Sequence, residues 1–301
     1  NTHTAATAIS HGPLIAPSLP VPDVVLTVGA VGLSRSVMAL LGATPRHIAV
    51  QLAAGSPDLP DPLLSAKQII DGVPLPSADP DSTWLTRWQE ASATAANVVV
   101  PALQAEVLTG PAAAVCVWSH AAAHDSLLVG ASWPVRHVAA YAEVRSGLRV
   151  FGNRGANGID GLVSTSDGIA VTSQGRTYAL IGDVAFLYGS GGLLELTGPA
   201  PNLTVVVVDN DGSGIFSQLE QGAPAFQRHF DQVFGTPHGR DLWLLAEALG
   251  VPACRVTTRS ELLAALHRTD AIPGVHVIVC TTGSRQDEAA LVQRIASQVS
   301  P

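Results

Sequence analysis

Charge is what this sequence has least of. Only 13% of its 301 residues are Asp, Glu, Lys or Arg, about half the share usual in a soluble domain. Lysine is nearly absent: Lys67 is the one lysine among 16 basic residues, and 24 acids leave a formal charge of −8. With no basic face to follow a phosphate backbone, nucleic acid is set aside as a partner. Cysteine is scarce as well. Cys116, Cys254 and Cys280 are far apart, odd in number and form no C-x-x-C pair, which excludes a disulfide framework and a zinc ribbon and points to a reducing, cytoplasmic setting. Long hydrophobic runs are missing too. The uncharged stretch from Val107 to Ala123 is broken by Gly110-Pro111 and carries Ser119 and His120, so no membrane span is expected, and residues 1–9 lack the basic start and apolar run of a signal peptide.

What is present is aliphatic. Hydrophobic residues make up 47% of the chain, enough to fold, and the length fits two domains. The first 22 residues, with Pro13, Pro17, Pro20 and Pro22, read as a lead-in segment. Val24-Val-Leu-Thr-Val28 then reads as a strand, Ser34 to Leu41 as a capped helix ending at Gly42, and His47 to Gln51 as a second strand. That is a βαβ unit, whose crossover implies a parallel sheet. Positions 53–80 are proline-rich and read as loop. A helix over 82–108, kinked or restarted at Pro101, ends before Thr109-Gly110-Pro111, where a domain boundary is expected, giving a central α/β domain over 23–110 and a second domain over 111–301. Beyond it helices over 112–123, 134–141, from about 158, 185–196, 241–249, 260–266 and 286–299 alternate with strands over 126–130, 148–151, 177–182, 203–208, 253–256 and 275–280. These strands are apolar without alternation, as expected when helices cover both faces of a parallel sheet. The fold class is therefore α/β, two domains of mainly parallel sheet flanked by helices.

In open parallel sheets ligands gather at the carboxyl ends of strands. Two ends stand out. Thr177 to Ile181 runs into Gly182-Asp183, and Leu203 to Val208 runs into Asp209-Asn210-Asp211-Gly212-Ser213-Gly214, with Asn210 lying 27 positions after Asp183. One helical crossover fits in that interval, so both tips can face one pocket. An Asp carboxylate, an Asn side-chain carbonyl and a backbone carbonyl are hard oxygen ligands suited to Mg²⁺, which leaves positions for phosphate oxygens. The glycines allow a diphosphate to approach the backbone closely. Turn chemistry alone explains Gly-Asp and Asp-Asn-Asp-Gly equally well.

The spacing Gly182-Asp183 to Asn210-x-Gly212 resembles the cofactor motif of thiamine-diphosphate enzymes. A longer string, Asn153-Arg154-Gly155-Ala156-Asn157-Gly158-Ile159-Asp160-Gly161-Leu162-Val163-Ser164-Thr165, is similar to the signature of the 2-succinyl-5-enolpyruvyl-6-hydroxy-3-cyclohexene-1-carboxylate synthases of menaquinone biosynthesis, as are Leu128 to Arg136 and Gly214-Ile215-Phe216. The likeness is close from about residue 112 onward and looser over 24–110. It implies the central and diphosphate-binding domains of a three-domain enzyme, with a pyrimidine-binding domain, bearing the glutamate that activates the cofactor, outside these residues. It further implies a transferase that decarboxylates 2-oxoglutarate and adds the succinyl unit to isochorismate, and a homo-oligomer. The 301 residues alone would then be inactive until that domain or a partner subunit is supplied.

By the same resemblance Asp183, Asn210 and the Gly212 carbonyl coordinate Mg²⁺ or Mn²⁺, and Gly182, Gly214 and Ile215 join them around thiamine diphosphate, with Ile159 under the bent cofactor. Ser132, Arg136 and Arg154 hold substrate carboxylates, a task suited to the planar, always charged guanidinium. Ile215 and Phe216 line the ring pocket, and Arg35 reaches the second substrate. Two departures from the family pattern stand here: Ser213 replaces a glycine, and bulky Trp133 sits in the Ser132–Arg136 loop. Other readings are a non-catalytic cofactor-binding module and a different thiamine-diphosphate decarboxylase or carboligase. His120-x-x-x-His124-Asp125 has metal-pair spacing but lacks a zincin's Glu and third ligand. Asn202-Leu-Thr204 is a glycosylation sequon by pattern only.

Overall fold

The structure, a computed structural model, describes residues 8–29, 31, 34–51, 61–72, 82–153, 158–194 and 201–300. The chain divides into two compact units, Asn1–Val98 with Ala296–Pro301, and Val99–Ile295.

In the first unit β1 (Val24–Val28), α2 (Arg35–Ala43) and β2 (Arg46–Gln51) form the expected βαβ crossover, with β1 and β2 parallel in the register Val24↔Arg46. The lead-in segment is part of this packing. It forms α1 (Gly12–Ile15) and a 3₁₀ turn, buries Leu14, Ile15 and Ala16, and is tied to α2 by Ser36 Oγ donating to the Pro13 carbonyl at 2.6 Å. Ser34 stands at the start of α2 without a side-chain capping bond, and the helix runs one residue past Gly42. The proline-rich stretch read as loop contains a strand, β3 (Gln68–Asp71), parallel to β2. Its four residues carry too short a pattern to read in sequence, and its ladder partners exist only once β2 is in place. On this small sheet Val24, Leu26 and Val28 of β1 and Ile69 of β3 are exposed. α3 (Ser82–Leu103) contains Pro101 without ending there, and the division between units falls inside it.

The second unit holds a six-stranded, all-parallel sheet in the order β5-β4-β6-β7-β9-β8. Its strands are β4 (Ser126–Val129), β5 (Arg149–Phe151), β6 (Thr177–Gly182), β7 (Leu203–Asp209), β8 (Ala253–Val256) and β9 (Val275–Thr281). Nearly every residue of β4, β6, β7 and β9 is buried, as unbroken apolar strands require between two helical layers. The helices are α4 (Gly110–His120), α5 (Trp133–Tyr141), α6 (Leu162–Thr172), α7 (Asp183–Gly189), α8 (Leu242–Ala248), α9 (Arg259–Asp270) and α10 (Arg285–Val299). Thr109-Gly110-Pro111 is the start of α4: Thr109 accepts from the Ala112 amide, and proline occupies a first-turn position where its missing N–H costs nothing. α6 begins at Leu162 and not near Gly158, because Gly161 sits at φ 71°, outside helical space. Thr258 and Glu261 form a reciprocal capping box on α9.

The strand order reverses between β4 and β6, since β4 connects outward to β5 while β6 lies on its other side. Such a reversal opens a crevice at the carboxyl ends of the strands. The loops entering β4 and β6 are joined at the opposite end by buried Asp125, which accepts from the amides of Ala122 at 2.7 Å and Arg176 at 2.9 Å. Among the described residues no helix is long and apolar enough to cross a membrane. Asp125→Ala leaves two amides without their acceptor, and we expect a loss of about 2 kcal/mol in urea denaturation; an unchanged midpoint would contradict the role given to this carboxylate.

Candidate functional site

β6 and β7 are hydrogen-bonded neighbours with Gly182 opposite Val208, so the two tips singled out in the sequence leave the sheet side by side. Asp183 opens α7 and is buried. Its Oδ2 accepts from the Gly212 amide at 2.7 Å and the Asn210 amide at 3.3 Å, and its Oδ1 accepts from Val184 N at 2.7 Å. Backbone donors on a carboxylate are charge-assisted and short. One side chain therefore pins the loop after β7 against the end of β6.

Glycine is required at the turn of that loop. Gly212 lies at φ 129°, and a Cβ there would overlap the Gly235 carbonyl. Behind it buried Arg285 donates from Nη1 to the carbonyls of Asp211 (2.9 Å) and Gly235 (2.6 Å) and from Nη2 to Asp231 (2.8 Å). Gly182, by contrast, faces open space: a Cβ would meet nothing within 4 Å. A cleft of about 300 Å³ adjoins the loop, lined by Asn210, His238, Arg240 and Ser284 among others.

The residues present suit a hard cation. Asn210 Oδ1 is buried with no hydrogen-bond partner, while its Nδ2 donates to Glu288 at 3.4 Å. A buried carbonyl oxygen left unpaired is costly unless a ligand takes it. Asp183 and the Gly212 carbonyl, which accepts one bond from Gly214 N at 2.9 Å and keeps a second lone pair, supply the other oxygens.

One group at this site carries no signal in the sequence. His238, 55 positions from Asp183, places Nε2 3.3 Å from Asp183 Oδ2 and 3.4 Å from Asp209 Oδ1, with Nδ1 3.8 Å from Asp211. Its hydrogen bond to Asp183 raises the imidazole pKa against the opposing effect of burial, and the three carboxylates add to the rise. Asp209 is pushed up to about 6, first by burial and then by the charge of Asp183. Three carboxylates around one imidazole leave a surplus of negative charge for a cation to balance.

The remaining expected residues are distributed as follows. Ser132, at φ 69°, and Arg136 follow β4 across the reversal point, and Arg136 Nη1 donates to the Ser132 carbonyl at 2.7 Å. Arg136 is exposed on the first turn of α5. Ile215 and Phe216 are half-buried in the 3₁₀ turn Gly214–Gln218, with the Phe216 ring 5.6 Å from that of Phe234. Ile159 is half-buried against the core around Leu162 and Phe186. Arg35 is exposed at the start of α2 in the first unit. Arg154 lies outside the described residues. His120 does not pair with His124. It meets Asp270 Oδ2 at 2.8 Å, near His267, while Tyr178 donates to the other carboxylate oxygen, so the cluster is closed by its own hydrogen bonds. Asn202, just before β7, accepts from Gly274 N at 3.2 Å, and Thr204 within that strand is fully buried.

The raised pKa of Asp209 has a consequence for stability. An acid whose folded value exceeds its unfolded one favours the fold while protonated; that contribution is present below about 3.8 and lost as pH climbs through about 6. In metal-free solution Asp209→Asn, which cannot ionise, should flatten the dependence of melting temperature on pH between 4 and 6 and exceed the parent in stability above 6. A slope identical to the parent's would contradict this assignment.

Residues 136–280 match the family described as thiamine pyrophosphate enzyme, C-terminal TPP binding domain. The 2-succinyl-5-enolpyruvyl-6-hydroxy-3-cyclohexene-1-carboxylate synthase of Saccharopolyspora erythraea is 41% identical over 263 residues, covering 85% of this chain and 46% of the relative. The proteins of the same name from Thermobifida fusca and Nocardia farcinica are 40% and 42% identical, covering 92% and 86% of this chain and 50% and 48% of their own. The chain thus spans about half the length of the curated relatives it matches. The chain is therefore similar to the 2-succinyl-5-enolpyruvyl-6-hydroxy-3-cyclohexene-1-carboxylate synthases over about half of their length, and its residues 136–280 match the C-terminal TPP binding domain of thiamine pyrophosphate enzymes.

Proposed function

We propose that this chain supplies the central and diphosphate-binding parts, 23–110 and 111–301, of a cytoplasmic synthase that releases carbon dioxide from 2-oxoglutarate and adds the succinyl unit to isochorismate. The observation that carries the reading is the pairing of Asp183 with a buried, unpartnered Asn210 Oδ1 on neighbouring strand ends. Bound thiamine diphosphate supplies the electron sink that decarboxylation of a 2-oxo acid needs. Asp183, Asn210 and the Gly212 carbonyl would hold Mg²⁺ or Mn²⁺, which offsets the diphosphate charge beside the carboxylates. Gly182 leaves the backbone bare where the anion would approach, Gly214 would let the loop pack closely beside the cofactor site, and Ile159 and Ile215 would be apolar surfaces for the cofactor rings.

Substrate handling falls to cations and an apolar wall. Arg136, Arg154 and Ser132 would bind the carboxylates of 2-oxoglutarate, since a guanidinium pairs a carboxylate bidentately and stays charged through the reaction. Phe216 and Ile215 would pack on the isochorismate ring. No residue of this chain is assigned the activating carboxylate. That role is expected of the pyrimidine-binding domain or a partner subunit in a homo-oligomer.

Calorimetry with thiamine diphosphate should detect binding that requires Mg²⁺, and Asp183→Ala should weaken it at least about 10-fold, the scale seen when even outer partners of a metal are lost. Arg136→Ala should leave it unchanged. Absence of metal-dependent binding to the parent would sink this reading, and consumption of 2-oxoglutarate by these 301 residues alone would show that activation needs no further domain.

A further inference from the structure

The oxygens expected to hold a cation come from three positions, and two of them have no freedom: the Asp183 carboxylate is fastened by backbone amides, and the Gly212 carbonyl is part of the chain. Asn210 is different. Its side-chain amide can turn over, exchanging Oδ1 for Nδ2, and only one of the two orientations offers a ligand. Something must choose between them.

The choice is made from below. Glu288, in the first turn of α10, is 4% exposed, so its carboxylate is buried among few partners. Its Oε1 accepts from His137 Nε2 at 2.9 Å, and its Oε2 accepts from Asn210 Nδ2 at 3.4 Å. An ionised carboxylate has acceptors only, so it tolerates the NH₂ end of Asn210 and repels the oxygen end. The surroundings are shaped for this contact. A Cβ at Gly110 would overlap the Glu288 carboxylate, and a Cβ at Gly214 would come within 2.9 Å of Asn210 Nδ2 and 3.0 Å of the Trp133 ring. His137 is itself 3% exposed and lies against the tilted rings of Trp133 and Tyr141, which hold it on the carboxylate. With the amide so oriented, the oxygen left over is the buried Oδ1 that has no partner.

We propose that Glu288 is a positioning residue for the cation site: through its hydrogen bond to Nδ2 it selects the orientation of Asn210 that presents Oδ1 to the metal. This rests on the functional reading above for the metal, though not for the orientation itself. Glu288 is not one of the oxygens expected to hold the cation; its role there runs through Asn210.

A sign reversal tests the idea. Glu288→Gln is isosteric, and its amide can donate to Oδ1 or accept from Nδ2, so both orientations become populated and Mn²⁺ affinity should fall about two- to tenfold. In the Asn210→Asp background the same change should strengthen Mn²⁺ binding, because Glu288 there opposes a second carboxylate whereas the glutamine donates to one of its oxygens and leaves the other for the metal. A role limited to the charge of Glu288 predicts weaker binding in both backgrounds, and that result would overturn the proposal. Mn²⁺ affinities read by paramagnetic resonance on the whole chain, with circular dichroism to confirm folding, give the comparison. Selective ¹⁵N labelling of asparagine in metal-free protein gives a second readout. The Asn210 NH₂ signals should shift and broaden in Glu288→Gln, and unchanged signals would also overturn the proposal. A parent that binds no Mn²⁺ would count against the functional reading, while the amide signals would still decide the role of Glu288.

Discussion

The acceptance of two β7-loop amides by the Asp183 carboxylate is the constraint on which the candidate site depends. Without it β6 and β7 would still pair, because their ladder is continuous from Thr177 to Gly182, but their loops would have no common geometry. With it, the Asn210 and Gly212 amides are drawn onto one carboxylate. That fixes the backbone from which the Asn210 side chain and the Gly212 carbonyl project. The same carboxylate also faces His238, and with Asp209 and Asp211 it builds a pocket of surplus negative charge in a chain otherwise poor in charge. At short range and partly out of water, such charges interact far more strongly than the same groups on an open surface.

The rest of the second unit holds that arrangement still. Arg285 gathers the carbonyls of Asp211 and Gly235 and the Asp231 carboxylate, so the loop after β7 is bound on both sides, by an anion in front and a cation behind. Gly212 allows the close approach to Gly235, and Gly110 makes room for Glu288. Buried polar groups of this kind are stabilising only when their partners are in place. Here the hydrogen bonds leave one buried oxygen over, on Asn210.

The parallel sheet was legible because unbroken runs such as Leu203-Thr-Val-Val-Val-Val208 can be satisfied only between two layers of helix. The tips at Asp183 and Asn210 were legible because ligand sites in such sheets follow strand ends. β3 was not, since four residues among prolines have no period to read and take their hydrogen bonds from β2. The start of α6 was misplaced because Gly158 and Gly161 look alike in sequence and only the positive φ of Gly161 distinguishes the cap. His238, Arg285 and Glu288 were equally invisible: an isolated histidine, arginine or glutamate on a loop or helix has the same local pattern whether it faces solvent or a buried loop.

The sequence by itself determined the α/β class, the order of strands and helices in the second unit, and the identity of the oxygens that suit a hard cation, because these follow from apolar runs, turn residues and side-chain chemistry along a short stretch of chain. Tertiary structure alone decided which of those oxygens are free. That depends on hydrogen-bond partners brought from 27, 55 and 78 positions away along the chain, the donors Asn210 and His238 for Asp183 and the acceptor Glu288 for Asn210, and hydrogen bonding acts over a few ångströms of space, whatever the distance in sequence.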